Sequence, residues 1–231
     1  MVVLARTLHY LSAADRGPSI LGLFGFAVST FMVAANLAGW FGNATVTPLV
    51  LFPFAFAFGG VAQLLAAMWS YRARDALATG IHGAWGSFWI GYGLYMLLVA
   101  VRLVPSTINP AARVAFGYWF VGLAAVAWAG FAAALAENVA LSLVLLTLAG
   151  GSTLLAIGMV AAFPALVPIG AIVLVASAVL AWYTASAMML TASFGRAVLP
   201  IGGRSGPQAA GGTERRPVQF RAGEPGIKRG Q

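Results

Sequence analysis

The stretch VALSLVLLTLAGGSTLLAIGMVAA, residues 139–162, decides the fold. It carries no ionisable side chain, and as a helix it is long enough to cross the roughly 30 Å hydrocarbon core of a bilayer. A membrane strand would need about half that length and would alternate apolar with polar residues, which this run does not do. Five further runs of the same kind flank it, and the periodicity predicts helices over 19–41, 47–69, 79–101, 112–135, 139–162 and 166–191. Ionisable and helix-breaking residues gather between them: Gly42-Asn43, Tyr71 to Asp75, Arg102 to Arg113 with Pro105 and Pro110, Glu137-Asn138, and Pro164 with Pro168. The expectation is an all-α polytopic membrane protein with a transmembrane domain over 19–201.

Composition sets the limits of the chemistry. Hydrophobic residues make up 61% of the 231 residues and charged residues only 8%, too apolar for one soluble core. Without cysteine there is no disulfide, iron–sulfur cluster or thiol nucleophile. Nothing resembles a metal-ligating HExxH, a serine triad, a carboxylate pair or a phosphate loop, so neither an enzyme nor a cofactor or metal is expected. Glu137 is the only acid between Asp75 and Glu214, which argues against a pump built on buried carboxylates.

The net charge of +8 is distributed by side rather than aimed at nucleic acid. Six spans place Arg6, Arg16, Arg72, Arg74, Arg196, Arg204, Arg215, Arg216, Arg221, Lys228 and Arg229 on one face, against Arg102 and Arg113 on the other. The excess of positive charge predicts both termini in the cytoplasm, in a plasma (inner) membrane. Residues 1–18 (with Arg6, His9, Asp15 and Arg16) read as a short cytoplasmic segment rather than a cleavable leader. Residues 202–231, rich in Gly, Pro and Arg, read as a disordered basic tail attracted to anionic lipid. Small residues recur four apart at Ala62/Ala66, Ala125/Ala129/Ala133 and Ser177/Ala181/Ala185, a pattern that lets helices approach closely.

Function has to rest on polar groups within the spans. Serine and threonine hydroxyls ordinarily bond back to their own helix. The amides of Asn36 and Gln63 cannot be satisfied that way, and each is read either as lining a wet path or as joining helices. His82 is the only histidine within a span, either a packing residue or a pH-sensing group at a pore mouth.

Three segments together resemble the acetate uptake transporter family. Gly17-Pro18-Ser19-Ile20-Leu21-Gly22-Leu23 looks like its opening NPAPLGL signature. Gly59-Gly60-Val61-Ala62-Gln63 with Gly86-Ser87-Phe88-Trp89 resembles GGxxQ…YGSFW, and Phe194-Gly195-Arg196-Ala197-Val198-Leu199-Pro200-Ile201-Gly202 resembles FGRxVLPxG. The resemblance implies a homohexamer that carries acetate or succinate through a pore in each protomer, as an anion channel or a proton symporter. It implies a constriction at Phe26, Trp85 and Leu148, with polar contacts at Ser29, Thr30, Gln63, Ser87 and Thr147, and Asn36 is read as a further polar group on that path. The family motif is matched at Pro18, Leu21, Gly22, Leu23, Gly59, Gly60, Gly86, Phe194, Gly195, Arg196 and Pro200. It is broken at Gly17, Ile20, Ser70, Ala34, Gly83-Ala84 and Thr191-Ala192, and tryptophan replaces tyrosine at position 85. The lost acidic and amide groups also suit a pore for small neutral solutes such as ammonia. A non-transporting assembly protein acting through its basic tail is the remaining alternative.

Overall fold

A computed structural model describes residues 17–203. The short N-terminal segment, with Arg6, His9, Asp15 and Arg16, and the basic tail from Arg204 onward lie outside the described residues. The chain is a multi-pass membrane protein with six long apolar helical spans. Its helices are α1 (Gly17–Leu37), α2 (Val46–Phe54), a π-helical segment (Ala55–Ala62), α3 (Gln63–Arg72), α4 (Ala76–Ala100), α5 (Pro110–Ala134), α6 (Val139–Val160) and α7 (Leu166–Phe194). The second span is the continuous run α2–π–α3, Val46–Arg72.

Helix ends follow local chemistry more closely than hydropathy does. The first span stops at Leu37, short of the expected 41. Gly39 takes φ +79°, and the Gly39 and Trp40 amides turn back to the Asn36 and Ala35 carbonyls. Asp75 caps α4 by accepting from the Ala78 amide at 2.9 Å, which starts that helix before residue 79. Pro110 begins α5 instead of breaking it, with Asn109 as its cap, because proline at the first helical position gives up no hydrogen bond.

The spans close into a ring. In order around it, α1 packs on α7, α7 on α6, α6 on α5, α5 on α4, α4 on the α2–π–α3 run, and that run back on α1. Lipid gives no hydrophobic drive for helix association, so close approach of backbones has to hold the ring. A Cβ added at Gly86 would lie 2.9 Å from the Leu64 amide nitrogen and 3.2 Å from the Gly60 carbonyl oxygen, so α4 rides on the second span at van der Waals limit. One added at Gly59 would fall 2.5 Å from Trp89 Cγ, and one at Gly25 would strike the Phe58 carbonyl oxygen. The π-helical turn widens the second span at this crossing, where two adjacent glycines leave room for it. Of the small-residue stripes, Ala66 and Ser177/Ala181/Ala185 are buried inside the protomer, and Ser177 donates to the Val144 carbonyl at 2.9 Å. Ala125/Ala129/Ala133 face outward. Trp40, Trp69, Tyr71, Tyr118 and Trp119 are exposed, as side chains at a membrane interface would be.

Gly86→Ala is expected to lower stability by about 1–3 kcal/mol, through overpacking against backbone. Gly91→Ala, whose Cβ would meet nothing within 4 Å, should be neutral or slightly stabilising. Thermal midpoints of the two variants in detergent check the contrast.

Candidate functional site

One face each of α1, α4, α6 and α7 looks onto the axis of the ring, where two cavities lie end to end. The first, ≈ 230 Å³, opens toward the connections 38–45 and 101–109; among its lining residues are Thr30, Asn36, Asn43, Trp85, Trp89 and Tyr92. The second, ≈ 70 Å³, lies toward residues 73–75, 135–138 and 195–203, and its walls include Phe26, Asp75, His82, Glu137, Leu148 and Ile201. These two ends are called the loop face and the strap face below.

A short apolar neck separates the cavities. Phe26 borders the strap-face cavity and Trp85 the loop-face cavity. Their rings meet edge to face, centroids 6.0 Å apart at 83°. Phe26, Trp85 and Leu148 are 3%, 2% and 1% exposed, so the neck is closed. Helical register explains how single helices serve both cavities. On α4, Ala78 and His82 lie below the neck and Trp85, Trp89 and Met96 above it; on α1, Leu23 and Phe26 lie below and Thr30, Val33 and Leu37 above.

Hydrogen bonding divides the polar candidates into two groups. Ser87 donates to the Gly83 carbonyl at 2.8 Å and lies outside the ring, on a groove of ≈ 720 Å³ between α4 and α5. Thr147 donates to the Leu143 carbonyl at 2.7 Å and borders neither axial cavity. Both follow the ordinary pattern of helix hydroxyls. Asn36 sits at the loop-face rim, its amide donating to the Phe41 carbonyl at 2.8 Å. By contrast, Ser29 Oγ, Thr30 Oγ1, Gln63 Nε2, Trp85 Nε1 and Trp89 Nε1 are buried with no partner in the protein. Thr30, Trp85 and Trp89 border the loop-face cavity. Ser29 and Gln63 border neither cavity but lie at the level of the neck: Gln63 Cγ is 3.5 Å from where a Gly25 Cβ would be, and Ser29 Oγ is 2.8 Å from the corresponding point at Gly59. Ser70 and Ser152 hydroxyls are also unpartnered, away from both cavities.

Trp89 is the member of this cluster that the sequence reading overlooked, although the signal was available. It lies one helical turn past Trp85 and so shares its face. His82, one turn before Trp85, brings its Nδ1 to 3.3 Å from Gln63 Oε1. Its ring lies against Gly22, where a Cβ would come within 2.5 Å of two ring atoms. That contact gives one motif glycine a reason.

The last motif forms a strap. Gly195 ends α7 in the left-handed conformation at φ +66°, and Leu199 and Ile201 pack on Ala140 and Ala187. The Ile201 and Gly202 carbonyls accept from the Ala140 and Val139 amides at 3.0 and 3.1 Å, supplying partners to the otherwise free first turn of α6. Tyr183 Oη donates to the Pro200 carbonyl at 2.7 Å. Ile201 thereby becomes part of the wall of the strap-face cavity. Arg196 is exposed beside it, as is Arg72. Arg102 borders a pocket at the loop face, and Arg113 is half-buried.

A ring of six spans around two axial cavities that approach each other at Phe26 and Trp85 defines a helical membrane protein with an internal site on its axis. The chain belongs to the GPR1/FUN34/yaaH family, whose model matches residues 8–201. Over 192 residues it is 28% identical to the succinate-acetate/proton symporter SatP of Escherichia coli K12, a match covering 80% of this chain and 94% of that protein. An uncharacterized protein of Methanothermobacter thermautotrophicus is 34% identical over 93 residues, so the chain spans less than half (43%) of that relative. Acetate permease A of Emericella nidulans is 30% identical over 79 residues, 34% of this chain and 26% of that protein. The solved structure of the bacterial acetate channel SatP superposes with a TM-score of 0.72 at 25% identity, over 80% of this chain and 98% of that one.

Gly202→Ala is expected to loosen the strap. The residue holds φ +65°, and its Cβ would fall 2.9 Å from Val139 Cβ, so strain of about 1–2 kcal/mol acts on the latch. Hydrogen exchange at the Val139 and Ala140 amides should accelerate about tenfold for each 1.4 kcal/mol lost, with the centre of α6 unchanged.

Proposed function

We propose that this chain conducts small carboxylate anions, acetate foremost and succinate as a larger candidate, along the axis of each protomer. The observation that carries the reading is the set of unpartnered polar groups at the neck: Ser29, Thr30, Gln63, Trp85 and Trp89. In the hydrocarbon slab, a buried polar group without a partner costs several kcal/mol, so five together need a reason beyond packing. Each of the five can donate. The two indoles and the amide NH₂ can only donate, and the two hydroxyls can turn to do so. A lining in which all five groups can donate, three of them only as donors, replaces the water around an anion better than that around a cation. Moving Trp85 off Phe26 would open the neck and uncover Ser29 and Gln63 to the passing ion.

The neck sets the size of the substrate. Phe26, Trp85 and Leu148 form an apolar constriction that resists leak by excluding water between passages. Arg102 and Arg113 at the loop face would draw anions by their field, since the sequence places no acid on that side. The excess of Arg at the strap face orients that face, with both termini, to the cytoplasm of a plasma membrane. By resemblance the protomers associate as a homohexamer, each with its own path. Passage as the bare anion and passage with a proton share this lining.

Reconstituted protein should release or take up labelled acetate well above empty vesicles, and unlabelled acetate should compete. Gln63→Leu removes a donor to a charged group, a loss of about 1.5–3 kcal/mol, and should slow acetate flux about tenfold or more. Phe26→Ala should raise flux and relax the size limit toward longer carboxylates. Folded wild-type protein whose vesicles stay tight to every small carboxylate would end this reading.

A further inference from the structure

Gln63 has two ends, and only one has a partner. Its Oε1 lies 3.3 Å from His82 Nδ1, while its Nε2 is fully buried and unpaired beside the neck. An amide that rotates by half a turn exchanges oxygen for NH₂ with little change of shape. Turned one way, Gln63 gives the neck a donor; turned the other, it gives an acceptor that repels a carboxylate. Something has to fix which way it faces.

We propose that His82 is a specificity-determining residue that locks the Gln63 amide with its NH₂ toward the neck. This rests on the carboxylate reading above. Because the atom facing Nδ1 is a carbonyl oxygen, the imidazole must carry its proton on Nδ1 to make that bond. Histidine donates from Nδ1 both when neutral in that tautomer and when doubly protonated, so the direction of the lock does not depend on charge. The ring is also packed in place on the side away from Gln63. It is clamped against α1 at Gly22, where any side chain would collide with Cε1, Nε2 and Cδ2 at 2.5–2.7 Å. Gln63 is packed less closely, between Gly25 of α1 and Gly86 of α4. His82 also borders the strap-face cavity, where Asp75 and Glu137 lie on neighbouring elements; Asp75 is engaged in capping α4. His82 lines that cavity and not the neck itself, so at the neck it acts through Gln63.

Two measurements test this, one of which needs no transport. In full-length protein carrying His9→Gln, His82 is the sole imidazole. Nitrogen NMR of labelled histidine in lipid nanodiscs should then report the Nδ1–H tautomer, or the doubly protonated ring at acid pH. Gln63→Leu should shift the neutral ring toward Nε2–H. A neutral Nε2–H tautomer with Gln63 intact overturns the proposal, whatever the flux.

The second measurement compares acetate with acetamide, a neutral molecule of the same shape, in one vesicle assay. His82→Leu should lower the acetate-to-acetamide flux ratio about tenfold, the worth of one charge-assisted hydrogen bond, with acetamide flux unchanged. His82→Gln, which keeps an N–H donor at the site, should restore most of the ratio. Adding His82→Leu to Gln63→Leu should change nothing further. A parallel fall of both fluxes marks a merely structural histidine and overturns the proposal, as does an unaltered ratio in folded protein. Wild-type vesicles tight to acetate, together with an Nδ1–H tautomer, would defeat the transport reading while leaving the lock between His82 and Gln63 standing.

Discussion

In a bilayer every polar group must find its partner inside the protein or along a wet path, and the whole arrangement follows from that constraint. Backbone groups meet it by forming helices. Most side-chain hydroxyls meet it by donating to a carbonyl one turn back, as Ser87, Thr147, Thr153 and Thr184 do. The groups that escape this rule are concentrated where the two axial cavities approach each other. A lone orphan such as Ser152 is a tolerable cost. Five lie at or just above the neck, two of them indole N–H groups that cannot bond back to a helix, and these are the groups the proposed anion would satisfy.

Those donors can sit so deep only because the surrounding helices come unusually close. Glycine at 22, 25, 59 and 86 removes the atoms that would otherwise hold α1, α4 and the second span apart. Each of these glycines meets either the backbone of a neighbour or a side chain that lines an axial cavity: His82 at Gly22, Phe58 at Gly25, Trp89 at Gly59, Leu64 at Gly86. Packing and function are therefore not separable here. A methyl group at one of these positions displaces a wall of the corridor as well as loosening the ring.

The spans were legible in the sequence because lipid solvation writes itself as long apolar runs, and no soluble alternative buries so many. Their ends were less so, since Gly39, Asp75 and Pro110 act through single hydrogen bonds and backbone angles that hydropathy averages away. The π-helical segment Ala55–Ala62 left no mark beyond its two glycines and the Pro53 just ahead of it, which hydropathy does not register. At the site, residue type was readable and direction was not. Ser87 lies two residues from both Trp85 and Trp89, about 200° around the helix, and so points away from the axis that they face. Thr147 precedes Leu148 by one residue and spends its hydroxyl on its own helix.

The two cavities differ in a way that bears on how an ion would move between them. Thr30, Trp85 and Trp89 give the loop-face cavity donors, and no acidic residue lines it. The strap-face cavity is smaller, is capped by Ile201, and holds Asp75 and Glu137. On the proposed carboxylate reading, an anion gains from the first environment and gains less in the second, where two half-buried acidic side chains with partners of their own stand in place of donors. On that reading the favourable well for the anion lies on the loop side of the neck. Asp75 directs its charge into the first turn of α4, where the free N–H groups of the helix answer it. A gradient of this shape favours rapid release over tight holding, as conduction requires.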